Sequence, residues 1–230
     1  VDRISYFDKI ASYYDCWYTT KIGNYVDDTE KREVSSLLTG KKGLFLDLGC
    51  GTANYTIFLN KLGQKTVGLD GSIKMIKIAI KKLPHIPFIS AEAGALPFKD
   101  SSFDSVLSIT LFEFLDSPKK TLREIYRILK PKGEVIIGTM NAFSAWFFFK
   151  RVKSVFTETA YRHARFYTPN ELKSLFREAG FLKVNTRGVI YLPSFVPHFF
   201  IPFAQRLDHK YSASPLRHLA AFVLARGQKA

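Results

Sequence analysis

Short apolar runs alternate with amphipathic stretches between residues 43 and 140. The runs Leu44–Leu48, Lys65–Asp70, Pro87–Ser90, Phe103–Ile109 and Glu134–Met140 are bounded by Gly, Asp or Pro. Runs of this length predict strands buried on both faces, as in a parallel sheet. Ser72 precedes Ile73, Ile76 and Ile80, whose spacings of three and four predict a capped helix with those isoleucines inward. Ser117 and Pro118 mark the start of another helix, with Leu122, Ile125 and Leu129 as its buried stripe. Pro131-Lys132-Gly133 should break that helix and turn into the next strand. Phe7, Ile10, Ala11 and Tyr14 predict an amphipathic helix ahead of the sheet. Thr168-Pro169-Asn170-Glu171 is a capping box whose helix should end at Gly180. Phe181–Leu192 and Leu219–Arg226 read as further strands, whereas residues 193–217, with four prolines, give no regular pattern. Repeated strand–helix–strand units imply a parallel sheet with helices on both faces.

Composition adds exclusions. In 230 residues, 47% are hydrophobic and 23% charged, the range of a soluble globular protein. No uninterrupted apolar stretch is long enough to cross a bilayer, and no secretory signal is visible near the start, so a cytoplasmic location is expected. Two cysteines, Cys16 and Cys50, build neither a disulfide framework nor a four-cysteine zinc site, and no metal is expected. The net charge is +14, and residues 141–230 hold 14 basic against 4 acidic side chains. Such an excess suits nucleic acid, an anionic membrane surface or an acidic substrate; a solubilising surface is the plainer alternative.

The strongest chemical signal is Leu46-Asp47-Leu48-Gly49-Cys50-Gly51-Thr52-Ala53-Asn54, which follows the first strand. The glycines allow a sharp turn and close backbone approach to a ligand. Asn54 stands where a dinucleotide fold has its third glycine, and the Asp47 carboxylate would repel a phosphate. An acid here suits a cationic ligand. Asp70 ends the second strand, where a carboxylate accepts hydrogen bonds from ribose hydroxyls. Each acid taken singly could be a turn or helix cap. Together, on consecutive strand ends, they point to a nucleoside site.

With these motifs the sequence resembles the class I S-adenosylmethionine-dependent methyltransferases, in particular the small-molecule branch of ubiquinone- and menaquinone-biosynthesis type. The resemblance spans roughly residues 4–190. It rests on Asp47–Thr52, Leu69-Asp70-Gly71-Ser72, Ala95-Leu96-Pro97-Phe98 with Ser102-Phe103-Asp104, and Leu129-Lys130-Pro131-Lys132-Gly133. Ala53 departs mildly, standing where many members have Gly. The resemblance implies an α/β fold: a doubly wound, mostly parallel seven-stranded sheet with helices on both faces and a last antiparallel strand. It implies one domain over residues 1–230, with a helical cap at 1–40 and an insertion at 141–167 over the acceptor pocket.

The implied cofactor is S-adenosyl-L-methionine. Asp47 and the backbone of Gly49, Cys50 and Gly51 would hold its methionine part, and Asp70, with Gly71 and Ser72, its ribose. Met75 would pack on the adenine, Glu92 and Ala93 would bind the adenine edge, and Thr110 would line the pocket. Tyr6, Tyr14 and Tyr18 could close over it, although packing is the commoner role for such tyrosines. Glu113 and His163 are candidate bases, each with a structural or surface role as the stronger reading, so no catalytic residue is assigned. The implied acceptor is a small, aromatic or lipid-like molecule, in a pocket covered by the N-terminal segment and the aromatic, basic insertion at 143–167, for which a helix packed on the core with its charges in water is the plainer alternative; residues 191–203 could enlarge that pocket or touch a membrane. RNA is a less favoured acceptor, because no RNA-binding module is visible; DNA-methylating motifs are missing. A non-catalytic cofactor- or nucleic-acid-binding module on the same fold is the remaining alternative.

Overall fold

A computed structural model describes residues 3–38, 42–144, 164–191 and 211–230, with residues 201, 203 and 208. The five apolar runs form β1 (Leu44–Leu48), β2 (Lys65–Asp70), β3 (Phe88–Ser90), β4 (Phe103–Ile109) and β5 (Leu129–Met140). With β6 (Leu182–Val189) and β7 (Phe222–Gln228) they make one sheet, in the order β3-β2-β1-β4-β5-β7-β6. The first five strands pair in parallel, and β7 lies between β5 and β6, antiparallel to both. The fold is therefore the doubly wound, mostly parallel seven-stranded arrangement expected. From β1 the chain winds outward to β2 and β3, then returns to place β4 on the other side. That reversal opens a crevice at the carboxyl ends of β1 and β4, where open α/β sheets bind ligands.

Successive residues of β1 face opposite sides of the sheet. Leu46 and Leu48 join one core with Leu122 and Ile125 of α6 (Pro118–Ile128) and Leu172 and Phe176 of α7 (Pro169–Glu178). Phe45 joins the other, with Val34 and Leu37 of α3 (Lys21–Leu37) and Leu59 of α4 (Asn54–Lys61). The α7 capping box forms in full: Glu171 N–H donates to Thr168 Oγ1 at 3.2 Å and Thr168 N–H donates to Glu171 Oε2 at 2.8 Å.

Several expectations need correction. In α5 (Ile73–Lys82) the buried side chains are Met75, Ile76 and Ala79, while Ile73 and Ile80 are 47% and 44% exposed. Only Ile76 of the expected stripe faces the sheet. Ser117 makes no side-chain cap, although Pro118 does occupy the first turn of α6. Pro131-Lys132-Gly133 is no turn between elements. It lies within β5, which starts at Leu129 and absorbs the irregularity through a positive φ of 62° at Lys132. The N-terminal helix is broken. α1 (Arg3–Ile10) stops at a tight turn, Ala11–Tyr13, followed by the short α2 (Cys16–Thr19). Of the four residues of its predicted apolar face, only Ala11 is buried. β7 begins three residues later than expected, leaving Leu219 exposed, and β6 ends at Val189, not Leu192. Most of the insertion at 141–167, with His163, and of the aromatic segment 191–203 lies outside the described residues. Among the described residues no helix is long and apolar enough to cross a membrane, and no three metal-ligating side chains cluster.

Candidate active site

A cavity of about 730 Å³ opens at the carboxyl ends of β1, β2 and β4. Its wall brings together many residues that the sequence pointed to: Gly49, Gly51, Asp70, Gly71, Ser72, Met75, Glu92, Ala93, Thr110 and Tyr14. The loop after β1 runs through positive φ at Gly49 (80°) and Gly51 (51°). At Gly49 a Cβ would also stand 2.9 Å from Leu111 Cβ, so a side chain there is excluded twice.

This loop is stitched to the end of β2. Gly49 N–H and Cys50 N–H both donate to Leu69 O, at 2.7 and 3.0 Å. Gly51 N–H donates to Asp70 Oδ2 at 2.9 Å, and Ser72 N–H donates to Asp70 Oδ1 at 2.8 Å. A carboxylate has about four acceptor sites, so each oxygen keeps room for a second donor. Burial pushes the Asp70 carboxyl above its ordinary value, opposed by the backbone bonds from Ser72 and Gly51. Ser72 Oγ caps α5 by accepting from Met75 N–H at 3.1 Å, which fixes the buried Met75 in the wall.

Four residues named from the sequence lie outside this wall. Asp47 is 2% exposed and accepts from Thr56 Oγ1 at 2.6 Å, beneath the glycine loop. Burial pushes its carboxyl up to about 7, with the Thr56 bond opposing. Its influence on the cavity is thus a field, not a contact. The Cys50 side chain turns toward β2, with Sγ 3.0 Å from where a Cβ on Gly68 would lie, so Cys50 offers only its backbone. Tyr18 packs edge-on against Tyr14 at 6.1 Å, one layer back from the cavity, and burial pushes its phenol well up. Tyr6 is likewise outside the wall, its ring edge-on to Phe7.

Other residues of the site escaped the sequence reading. Arg3 donates to Phe114 O and pairs with Asp116 at 2.8 Å, on the loop after β4. Asp8 accepts from Ser72 Oγ at 2.5 Å and from Lys74 N–H at 3.3 Å. Asp15 accepts from Thr52 Oγ1 at 2.6 Å and pairs with Lys82 at 2.6 Å. The segment before α3 is therefore pinned to three loops that surround the cavity. The signal in the sequence was only that its acids lie on a predicted amphipathic helix.

The site also holds strain. Ala53 and Thr110 take positive φ values of 74° and 54°, a region that L side chains enter at a cost. Left-handed backbone costs a residue with a Cβ roughly 1–2 kcal/mol, while glycine loses more chain entropy on folding. Ala53→Gly is expected to stabilise the protein by about 1 kcal/mol. Urea unfolding of the two proteins measures this, and a destabilised variant would contradict it.

A family model described as a methyltransferase domain matches residues 46–137. A demethylmenaquinone methyltransferase of Thermotoga maritima is 31% identical over 198 residues, covering 76% of this chain and 86% of that protein. The chain belongs to the class I S-adenosylmethionine-dependent methyltransferases. An uncharacterised protein of Methanocaldococcus jannaschii is 34% identical over 190 residues, covering 80% of this methyltransferase and 85% of the relative. A crystal structure of a SAM-dependent methyltransferase from Thermotoga maritima superposes with a TM-score of 0.75 at 27% identity, covering 98% and 99% of the two chains.

The cavity fits the cofactor of this family. Gly51 N–H, which would cradle a phosphate in a dinucleotide site, is already taken by the Asp70 carboxylate. Asn54, at the position of the third dinucleotide glycine, donates to Asp27 Oδ1 at 2.7 Å. Asp70 instead faces the cavity with room on each oxygen for a further donor such as a ribose hydroxyl, and the buried Asp47 lies behind the glycine loop.

Proposed function

We propose that this methyltransferase acts on a small, aromatic or lipid-like acceptor. The observation that carries the reading is the apolar side of the cavity, lined by Ile4, Phe7, Leu111, Phe114 and Leu115, with Arg3 and Lys120 at its rim. Such a wall shelters rings or chains, and Lys120 at its edge suits an acidic or phenolic group, whereas Arg3 is paired with Asp116. The relation to a demethylmenaquinone methyltransferase supports the same class.

In this reading Asp70 holds the ribose, Glu92 and Ala93 the adenine edge, and the carbonyl oxygens of Gly49 and Gly51, whose N–H groups are engaged within the fold, accept from the ammonium of the amino-acid part. Met75 packs against the base. When bound, S-adenosylmethionine supplies an electrophilic methyl on a sulfonium whose charge disperses during transfer. The chain's own contribution is to exclude water and align the acceptor with that methyl. Holding two reactants in line contributes roughly 7–11 kcal/mol in favourable cases. Phe7 of α1 and Phe114 of the loop after β4 meet edge-on at 5.1 Å and close the apolar side. Glu113 does not serve as base here. It is buried outside the wall and accepts from Met140 N–H at 2.8 Å.

The test is transfer of a radiolabelled methyl to a panel of quinols, phenols, thiols and transfer RNA. Label is expected in a quinol or phenol. Label confined to transfer RNA would overturn the reading in favour of a nucleic-acid acceptor.

A further inference from the structure

We propose that the face formed by α5 and the N-terminal segment docks on an anionic lipid bilayer. The segment lies along α5: Asp8 holds Ser72 and Lys74 at the start of the helix, and Asp15 holds Lys82 at its end. Large apolar side chains on this face point into solvent. Trp17 is 43% exposed and Tyr13 57% on the segment, and Ile73 and Ile80 are 47% and 44% exposed on α5. Between and around them the charge is positive. Arg3 pairs with Asp116 and Lys82 with Asp15, and beyond these the segment and α5 carry Lys9, Lys21, Lys74, Lys77 and Lys81 against Asp8 alone. Both acids are engaged by their partners in the fold.

Exposed aromatics and isoleucines among lysines match the boundary between lipid headgroups and acyl chains. Anionic headgroups supply the complementary charge. A nucleic acid would use the lysines but leave Ile73 and Ile80 in water. Ile4 belongs both to this face and to the cavity wall and is 40% exposed. A lipid-like molecule could thus pass from the bilayer into the cavity past Ile4. That consequence rests on the acceptor class proposed above; the docking does not.

The full chain is to be sedimented with vesicles of phosphatidylcholine alone and of phosphatidylcholine mixed with phosphatidylglycerol. Salt-sensitive binding to the mixed vesicles only is expected. Each basic residue near an anionic surface contributes about 1 kcal/mol, or roughly fivefold. The triple variant Lys74→Gln, Lys77→Gln, Lys81→Gln should therefore bind on the order of a hundredfold more weakly. Trp17→Ala should weaken binding while leaving its salt sensitivity unchanged. Calorimetry with S-adenosylmethionine keeps the outcomes separate, because none of these side chains lines the cavity and cofactor affinity should be unaltered. Equal partition of wild type and triple variant would overturn the proposal. So would failure to bind mixed vesicles, with or without salt-sensitive retention of transfer RNA.

Discussion

Asp70→Asn is expected to weaken S-adenosylmethionine binding by at least about a hundredfold. A hydrogen bond to a charged group contributes roughly 1.5–3 kcal/mol, and a ribose offers two hydroxyl donors. The same carboxylate holds Gly51 N–H and Ser72 N–H, so the change also loosens the glycine loop from the start of α5. Asparagine keeps the size of the side chain and one acceptor oxygen, which limits the damage to the fold. Titration calorimetry measures the affinity, and thermal unfolding without ligand reports whether the loop alone has failed. An unaltered affinity in a folded variant would remove Asp70 from the cofactor site.

Asp47→Asn should stabilise the protein without ligand, and increasingly so as pH rises. The Asp47 carboxyl is raised by burial from 3.8 to about 7 in the folded chain. A raised value means that the folded state holds its proton more tightly. Its favourable contribution is full below about pH 4, is lost as pH rises toward 7, and stays lost above that. The variant has no such charge to bury. Its advantage should be small near pH 4 and approach about 4 kcal/mol at pH 8, taking 1.36 kcal/mol for each unit of displacement. Urea unfolding at both pH values tests the sign; an advantage that does not grow with pH rejects the mechanism. The cost should appear in function. An ionised Asp47 beneath the glycine loop attracts a cation in the cavity, so the variant should bind S-adenosylmethionine more weakly at pH 8. Stability is exchanged for a site already biased toward its ligand.

The strands of the core were legible because each is a short apolar run closed by a glycine, proline or acid. The inward face of α5 was not. Its sequence Ile-Lys-Met-Ile-Lys-Ile-Ala-Ile offers two apolar stripes with the same period, and the position of the sheet selects Met75, Ile76 and Ala79. The start of β5 was missed because Pro131 and Gly133 are ordinary helix breakers, yet this strand tolerates them at the exposed end of its pairing. In the site, spacing along the chain revealed Asp47 and Asp70 as a pair of strand-end acids. The folded chain separates them, because Thr56 in the first turn of α4 holds the Asp47 carboxylate behind the cavity wall. Arg3, Asp8 and Asp15 were hidden for a different reason. Their partners Asp116, Ser72 and Thr52 are distant in sequence, and no local pattern announces a long-range ion pair or hydrogen bond.

The place of β7 between β5 and β6 has a consequence for how the chain is made. On the ribosome β5 emerges after its parallel partner β4, and β6 follows some forty residues later, but the other edge of β5 and the whole of β6 wait for residues 222–228. Until then the long apolar β5 presents a bare edge, the kind of template on which nascent chains aggregate. Closure of the sheet must therefore follow translation of β7, and a ribosome stalled before Phe222 would carry a five-stranded sheet with an open edge, dependent on chaperones.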